Sequence, residues 1–322
     1  MRLKWATGGN LLDYMEKRMV ESDPEGKILP SALCWALDQI RGLADGIRGL
    51  HAIKARHGDI KPNNILLFPM PENQSKYKLV IADAGLAKIH QLSTSKRSKF
   101  TTTIHASMMH QPPESDAVAV KLSRRYDVWS FGCVLFEMLV WLVRGPNGYK
   151  TFLKSMKGSP SGEVLPFWFG ENKVKKLRPI VETWKSRLSR SIQEDEGRVP
   201  LGFKPALSKL LKLVMTRLLV IDLGEKEEGR RGKKNGDYRG TAYRADAVEM
   251  WEDIGEICGN VPLDVDQLRV SMLHELTRQI DSNGDHDFDG MPEGLDNVHL
   301  SRNVSRNLTP LLARYPRTDI MD

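Results

Sequence analysis

The window from Val128 to Val143, VWSFGCVLFEMLVWLV, is the most apolar stretch of the chain and the one that most limits its fold. A helix built from it is apolar on nearly every side and has no polar face to turn to water. Such a helix belongs either in a bilayer or at the centre of a domain. The window is shorter than the roughly 20 residues a bilayer requires, and it carries Glu137. The expectation is a central buried helix in a mainly α-helical domain.

At 322 residues the chain is long enough for one large domain or two ordinary ones. Its 40% hydrophobic and 28% charged residues exclude a disordered chain. The net charge of +7 and pI near 9.2 suit anionic ligands or acidic partners. The charge is scattered and no nucleic-acid motif accompanies it, so no nucleic-acid partner is expected. Cys34, Cys133 and Cys258 are widely spaced and match no metal-ligand spacing, the pattern of reduced thiols, with Cys133 expected to be buried. The opening MRLKWATGGN has no apolar stretch long enough for a signal peptide. An intracellular protein, cytoplasmic or nuclear and without a membrane, is the expectation.

The pattern predicts a short helix over Leu11 to Met19 after the Gly8–Gly9 turn. A longer helix follows, with Ser31 as N-cap and Leu33, Leu37, Ile40, Leu43, Ile47 and Leu50 at helical spacing. Ile65–Phe68 and Leu79–Ala82 read as two short strands, and residues 88–103 as a polar loop. Further helices are predicted over Pro205–Val220 and Tyr243–Ile257. Between them, GEKEEGRRGKKNGDYRG (224–240) reads as a charged, Gly-rich disordered insertion.

Three segments carry chemistry. His57-Gly-Asp59-Ile-Lys61-Pro-Asn-Asn64-Ile-Leu66 resembles the protein-kinase catalytic loop, H-R-D-L-x-x-x-N followed by a short strand. Taken alone, it also resembles the loop of aminoglycoside and choline phosphotransferases, which usually lack the lysine. Ile81-Ala-Asp83-Ala84-Gly85 resembles the D-F-G triplet, with Ala84 in place of Phe; on its own, Asp83 also reads as a turn cap. Gln111-Pro-Pro-Glu114, then Asp127-Val-Trp-Ser-Phe-Gly132, resembles the A-P-E motif and the start of the family's central helix.

The order of these landmarks, from about Leu3 to Ile257, identifies the resemblance as one to the eukaryotic protein kinase superfamily. It implies a protein-kinase-like C-terminal (large) lobe, mainly α, with a small β-hairpin carrying the catalytic and metal-binding loops. It gives Asp59 the role of base, Lys61 that of cation on the transferring phosphate, and Asn64 and Asp83 those of Mg²⁺ ligands. A lysine two residues after the aspartate is the serine/threonine-type choice. Backbone groups of Lys4, Trp5 and Ala6 are implied at the adenine and Asn10 at the ribose, with Leu66 completing the nucleotide contacts. Glu114 is expected to pair with Arg244, and Asp127 to hold the catalytic-loop backbone; both are structural roles. Ser93, Thr94, Ser95, Ser98, Thr101, Thr102 and Thr103 are either phosphosites or parts of a soluble loop. Gly58 stands where an arginine binds such a phosphate in the family, and Ser107 keeps the hydroxyl of the loop threonine.

The Gly-rich loop, strand lysine and helix glutamate of a complete kinase are not in this sequence. The expectation is a kinase domain truncated before its hinge, over 1–258, followed by a tail over 259–322. The implied function is ATP- and Mg²⁺-dependent phosphorylation of protein Ser/Thr. A catalytically silent interaction module is the alternative, and a small-molecule phosphotransferase the third reading. Oligomeric state is not legible. In the tail, Asp281 to Gly290 has the alternate aspartates of a Ca²⁺ loop. Pro292, Gly294 and Asp296 at the twelfth position make it an acidic solvated loop instead.

Overall fold

A computed structural model describes residues 6–70, 73–83, 108–116, 123–158, 164–171, 174–194, 197–222, 243–259 and 261. All belong to a unit spanning Met1–Met272; the second unit, Leu273–Asp322, lies outside the described residues. The charged insertion, the tail with its acidic loop, residues 84–107, and Lys4 and Trp5 also lie outside them.

Helix α1 (Leu11–Lys17) starts at Asn10, whose side chain accepts from the Asp13 amide at 2.9 Å. Helix α2 (Pro30–Ala52) begins one residue before the expected cap: Leu29 is the N-cap and Ser31 lies in the first turn. Pro30 explains the shift, because its fixed φ suits the first helical position and its missing N–H costs nothing there. Of the spaced apolar residues of α2, Leu33, Leu37, Ile40, Leu43 and Ile47 are buried, together with Ala36 and Ala44, while Leu50 is only half-buried.

Strands β1 (Ile65–Met70) and β2 (Asn73–Ile81) form an antiparallel hairpin, longer than expected, with Ile65 opposite Ile81 and Leu67 opposite Leu79. Those residues face the core, except that Ile81 is only half-buried. The buried Gln39 carboxamide oxygen accepts from the Leu79 amide at 2.9 Å, and Trp35 Nε1 donates to the Tyr77 carbonyl at 2.7 Å, tying the hairpin to α2. Residues 8–10 run alongside β1: the Gly8 amide donates to Leu67 O and the Leu67 amide to Gly9 O. A side chain at Gly8 would collide with the Leu67 Cβ and the Tyr77 ring, both 2.6 Å away.

The predicted central helix is α3 (Arg125–Ser155), longer than its apolar window because a second helical segment follows a kink at Gly145 (φ 67°) and Pro146. By length and composition it could cross a membrane, but its apolar window is wholly buried in the fold. Gly132 admits close approach from Leu218, since a Cβ there would lie 2.9 Å from the Leu218 side chain. Cys133 is buried as expected. Beyond α3 come a two-residue ladder, β3 (Trp168–Phe169) with β4 (Lys176–Leu177), and helix α4 (Pro179–Gln193). Helix α5 (Lys204–Leu213) passes into a π-helical turn over Val214–Leu218, and α6 (Ala247–Gly259) packs on α2.

Charged groups buried against α3 are paired, whereas the buried Trp129 Nε1 and His110 Nδ1 have no partner among the described residues. Glu137, 1% exposed, accepts from the Tyr149 hydroxyl at 2.6 Å and bonds His110 Nε2 at 2.6 Å. Arg244, fully buried, forks onto Glu114 at 2.6 and 3.0 Å, as the resemblance implies. It also donates to the carbonyls of Val220 and Arg125 and stacks over Trp129. One guanidinium thus joins the Glu114 turn, the start of α3 and the end of the π turn. Removing it strands a carboxylate and two carbonyls, so Arg244→Met is expected to cost about 3–5 kcal/mol in denaturant unfolding. A loss below about 1 kcal/mol contradicts this role.

Candidate active site

The site begins with a buried carboxylate. Asp127, 0% exposed at the start of α3, accepts from the amides of His57 and Gly58, each at 2.8 Å, and bonds His51 Nε2 at 2.9 Å. This is the support for the catalytic-loop backbone that the resemblance implies. His51, in the last turn of α2, was not singled out by sequence; its signal was one imidazole at the end of an apolar helix.

Buried His57 joins the loop to the end of β2. Its Nδ1 faces the Asp59 amide at 3.3 Å, which can only donate, so the proton sits on Nε2, which donates to Ala82 O at 3.0 Å. The hairpin register adds a second link, as the Ala82 amide donates to Asn64 O at 2.8 Å. Asn64 and Asp83 thus lie at neighbouring strand ends.

Within the loop, Lys61 Nζ lies 2.7 Å and Asn64 Nδ2 2.9 Å from the same Asp59 oxygen, Oδ2. Asn64 Nδ2 also donates to Asp59 O at 2.9 Å, which fixes the amide's orientation. Its Oδ1 is left without a partner among the described residues. Lys61 is buried and the Asp59 side chain is 14% exposed. Asp83 is exposed and adopts a left-handed backbone, φ 62°, sparsely populated for a residue with a side chain. An exposed carboxylate held in such a conformation next to an open amide oxygen is a reasoned place to seek a cation ligand. Among the described residues no cluster of three or more His, Cys, Asp or Glu forms a ready-made metal cage.

Of the expected nucleotide contacts, Leu66 lies on the hairpin face away from the core, opposite Val80 and bridged to Asn10. Asn10 uses both ends of its amide on Asp13, as cap acceptor and as donor to Oδ2 at 2.8 Å. A ribose contact from Asn10 would use its second N–H or the second lone pair of its oxygen. Ala6 lies beside them, its carbonyl accepting from the Gly9 amide.

A family profile described as the protein kinase domain matches residues 4–159. That match places residues 4–159 in the eukaryotic protein kinase superfamily. It is 27% identical to cyclin-dependent kinase B2-1 of Arabidopsis thaliana, over 67% of this chain and 69% of that protein. It is 31% identical to mitogen-activated protein kinase 16 of Oryza sativa subsp. japonica, over 56% of this chain and 33% of the relative. A Dictyostelium discoideum protein named as a probable serine/threonine-protein kinase is 22% identical, over 66% of this chain and 32% of its own length. The match therefore spans about a third of that relative.

Gly58 is what lets this kinase loop take its shape. Its φ of 84° is left-handed, and an added Cβ would meet only Arg56 Nε, at 3.8 Å. The cost of a side chain there is the backbone conformation alone. Gly58→Ala is expected to lower unfolding stability by about 1–2 kcal/mol, and Gly58→Asn by less, because Asn tolerates this conformation. Equal losses, or none, contradict the assignment.

Proposed function

We propose that this chain carries the phosphoryl-transfer machinery of a serine/threonine protein kinase, on a fold of C-terminal-lobe type that uses ATP and Mg²⁺. The observation that carries the reading is the convergence of Lys61 and Asn64 on Asp59 Oδ2, with Asp83 beside them through the hairpin register. The serine/threonine type rests on Lys61 and on the names of the relatives.

The residues fit the metal–nucleotide complex. Asn64 Oδ1 and the Asp83 carboxylate are hard oxygen donors, and Mg²⁺ usually takes one or two protein oxygens alongside phosphate and water. When bound, the complex supplies the phosphoryl group and neutralises charge on its oxygens. Asp59 orients the acceptor hydroxyl and takes its proton at the carboxylate. The Lys61 and Asn64 bonds hold that carboxylate in place, so its positioning is prepaid before substrate arrives. The Lys61 ammonium also lies where negative charge develops during transfer. Leu66 and half-exposed Val80 give an apolar surface for the base, with Lys4, Trp5 and Ala6 as its further contacts and Asn10 at the ribose. Protein substrates and a cytoplasmic or nuclear setting belong to the same proposal.

Incubation of the purified chain with labelled ATP, Mg²⁺ and a mixed protein substrate is expected to place label on serine and threonine. Asp59→Ala should reduce the rate by about 10²–10⁴-fold. No transfer by the unaltered chain, or transfer indifferent to that substitution, contradicts the reading.

A further inference from the structure

A second basic site lies at the other end of α3. A cavity of about 340 Å³ is lined by Val143, Arg144, Asn147, Gly148, Thr151 and Arg198. Arg144 and Arg198 come from distant parts of the chain, and neither has a carboxylate partner among the described residues. Arg144 Nη1 donates to Ser191 Oγ at 3.0 Å, which leaves its Nε and Nη2 without partners there. Arg198 donates through Nε to Gly26 O and through Nη2 to Ser22 Oγ, both at 3.1 Å, which holds it in the wall and leaves Nη1 open. Burial and then the nearby Arg144 charge push the Arg198 guanidinium below its usual range, so the two cations repel each other.

The kink explains why they meet. Gly145, at φ 67°, breaks α3, and a Cβ there would lie 3.3 Å from Arg198 Nη1. A side chain there would be strained by the left-handed φ and would push the guanidinium back by a few tenths of an ångström. The helix resumes at Pro146, so the early turn carrying Asn147 and Gly148 faces the same cavity.

We propose that this cleft binds a phosphate monoester, clamped between Arg144 and Arg198. Paired guanidiniums carry two charges and present planar donor forks, which suits a dianion with several oxygens better than a single carboxylate. The cavity is larger than one tetrahedral anion fills, leaving room for the group that carries the phosphate. It lies roughly 25 Å along α3 from Asp127, at 1.5 Å per residue. It is therefore separate from the transfer site and does not rest on the proposed kinase chemistry.

Calorimetric titration of the full chain with inorganic phosphate, a phosphoserine peptide and its unphosphorylated twin tests the proposal. Phosphate and phosphopeptide should saturate one site in competition, and the unphosphorylated peptide should not bind. Arg144→Gln should weaken binding at least tenfold. Asn147→Asp should do the same while leaving both arginines in place, which separates lost binding from lost folding. A phosphopeptide at least tenfold tighter than phosphate assigns the group to a peptide, and equal affinity to a free phosphate compound; both support the site. Absence of saturable binding, or binding that survives both substitutions, overturns it. Binding abolished by Lys61→Gln places the anion in the transfer loop and also overturns it.

Discussion

Most of the described structure depends on a charge taken out of water. Asp127 lies fully buried at the head of α3, and a carboxylate there is tolerable only if its lone pairs are filled. The amides of His57 and Gly58 and the imidazole of His51 fill them. The same bonds that make the burial affordable stop the loop from moving independently of the core. Asp59 follows directly on those two amides, so its backbone inherits the rigidity of the central helix.

From that anchor the site is placed by backbone geometry. Gly58 turns the chain through a left-handed conformation, and Asp83 adopts another where β2 ends. Between them the hairpin register brings Asn64 opposite Ala82. His57 spans the same gap from its buried ring. The loop residues and the strand-end carboxylate are therefore held by one connected set of hydrogen bonds, and each link has a named donor and acceptor. Around α3 the same rule recurs: buried Glu137 is partnered by His110 and Tyr149, and buried Arg244 by the partly buried Glu114.

Much of this could be read from residues alone, because the loop chemistry lies in short contiguous patterns. His57 to Leu66, Asp83, Glu114 and Asp127 stood out by type and spacing, and the apolar window announced the central helix. What escaped depended on long-range geometry or on weak local signals. His51 offers no motif; only folding brings it to Asp127. Helix α4 was missed although Val181, Trp184, Leu188 and Ile192 recur at helical spacing, since charged residues on its other faces dilute the pattern. The start of α2 was displaced because Pro30 outweighed Ser31 as a start signal. The extension of α3 past Gly145 and Pro146 ran against both residues' usual role as breakers. Its reason is visible only where Arg198 packs on the kink.

The dependence of the loop on Asp127 can be measured amide by amide. In hydrogen exchange, His57 and Gly58 should be protected in the unaltered chain. Asp127→Asn keeps the shape but halves the acceptors, and should raise exchange at these two amides at least tenfold while the core of α3 stays protected. Exchange at His57 and Gly58 that is unchanged by the substitution would contradict the claim that this buried carboxylate holds the catalytic loop.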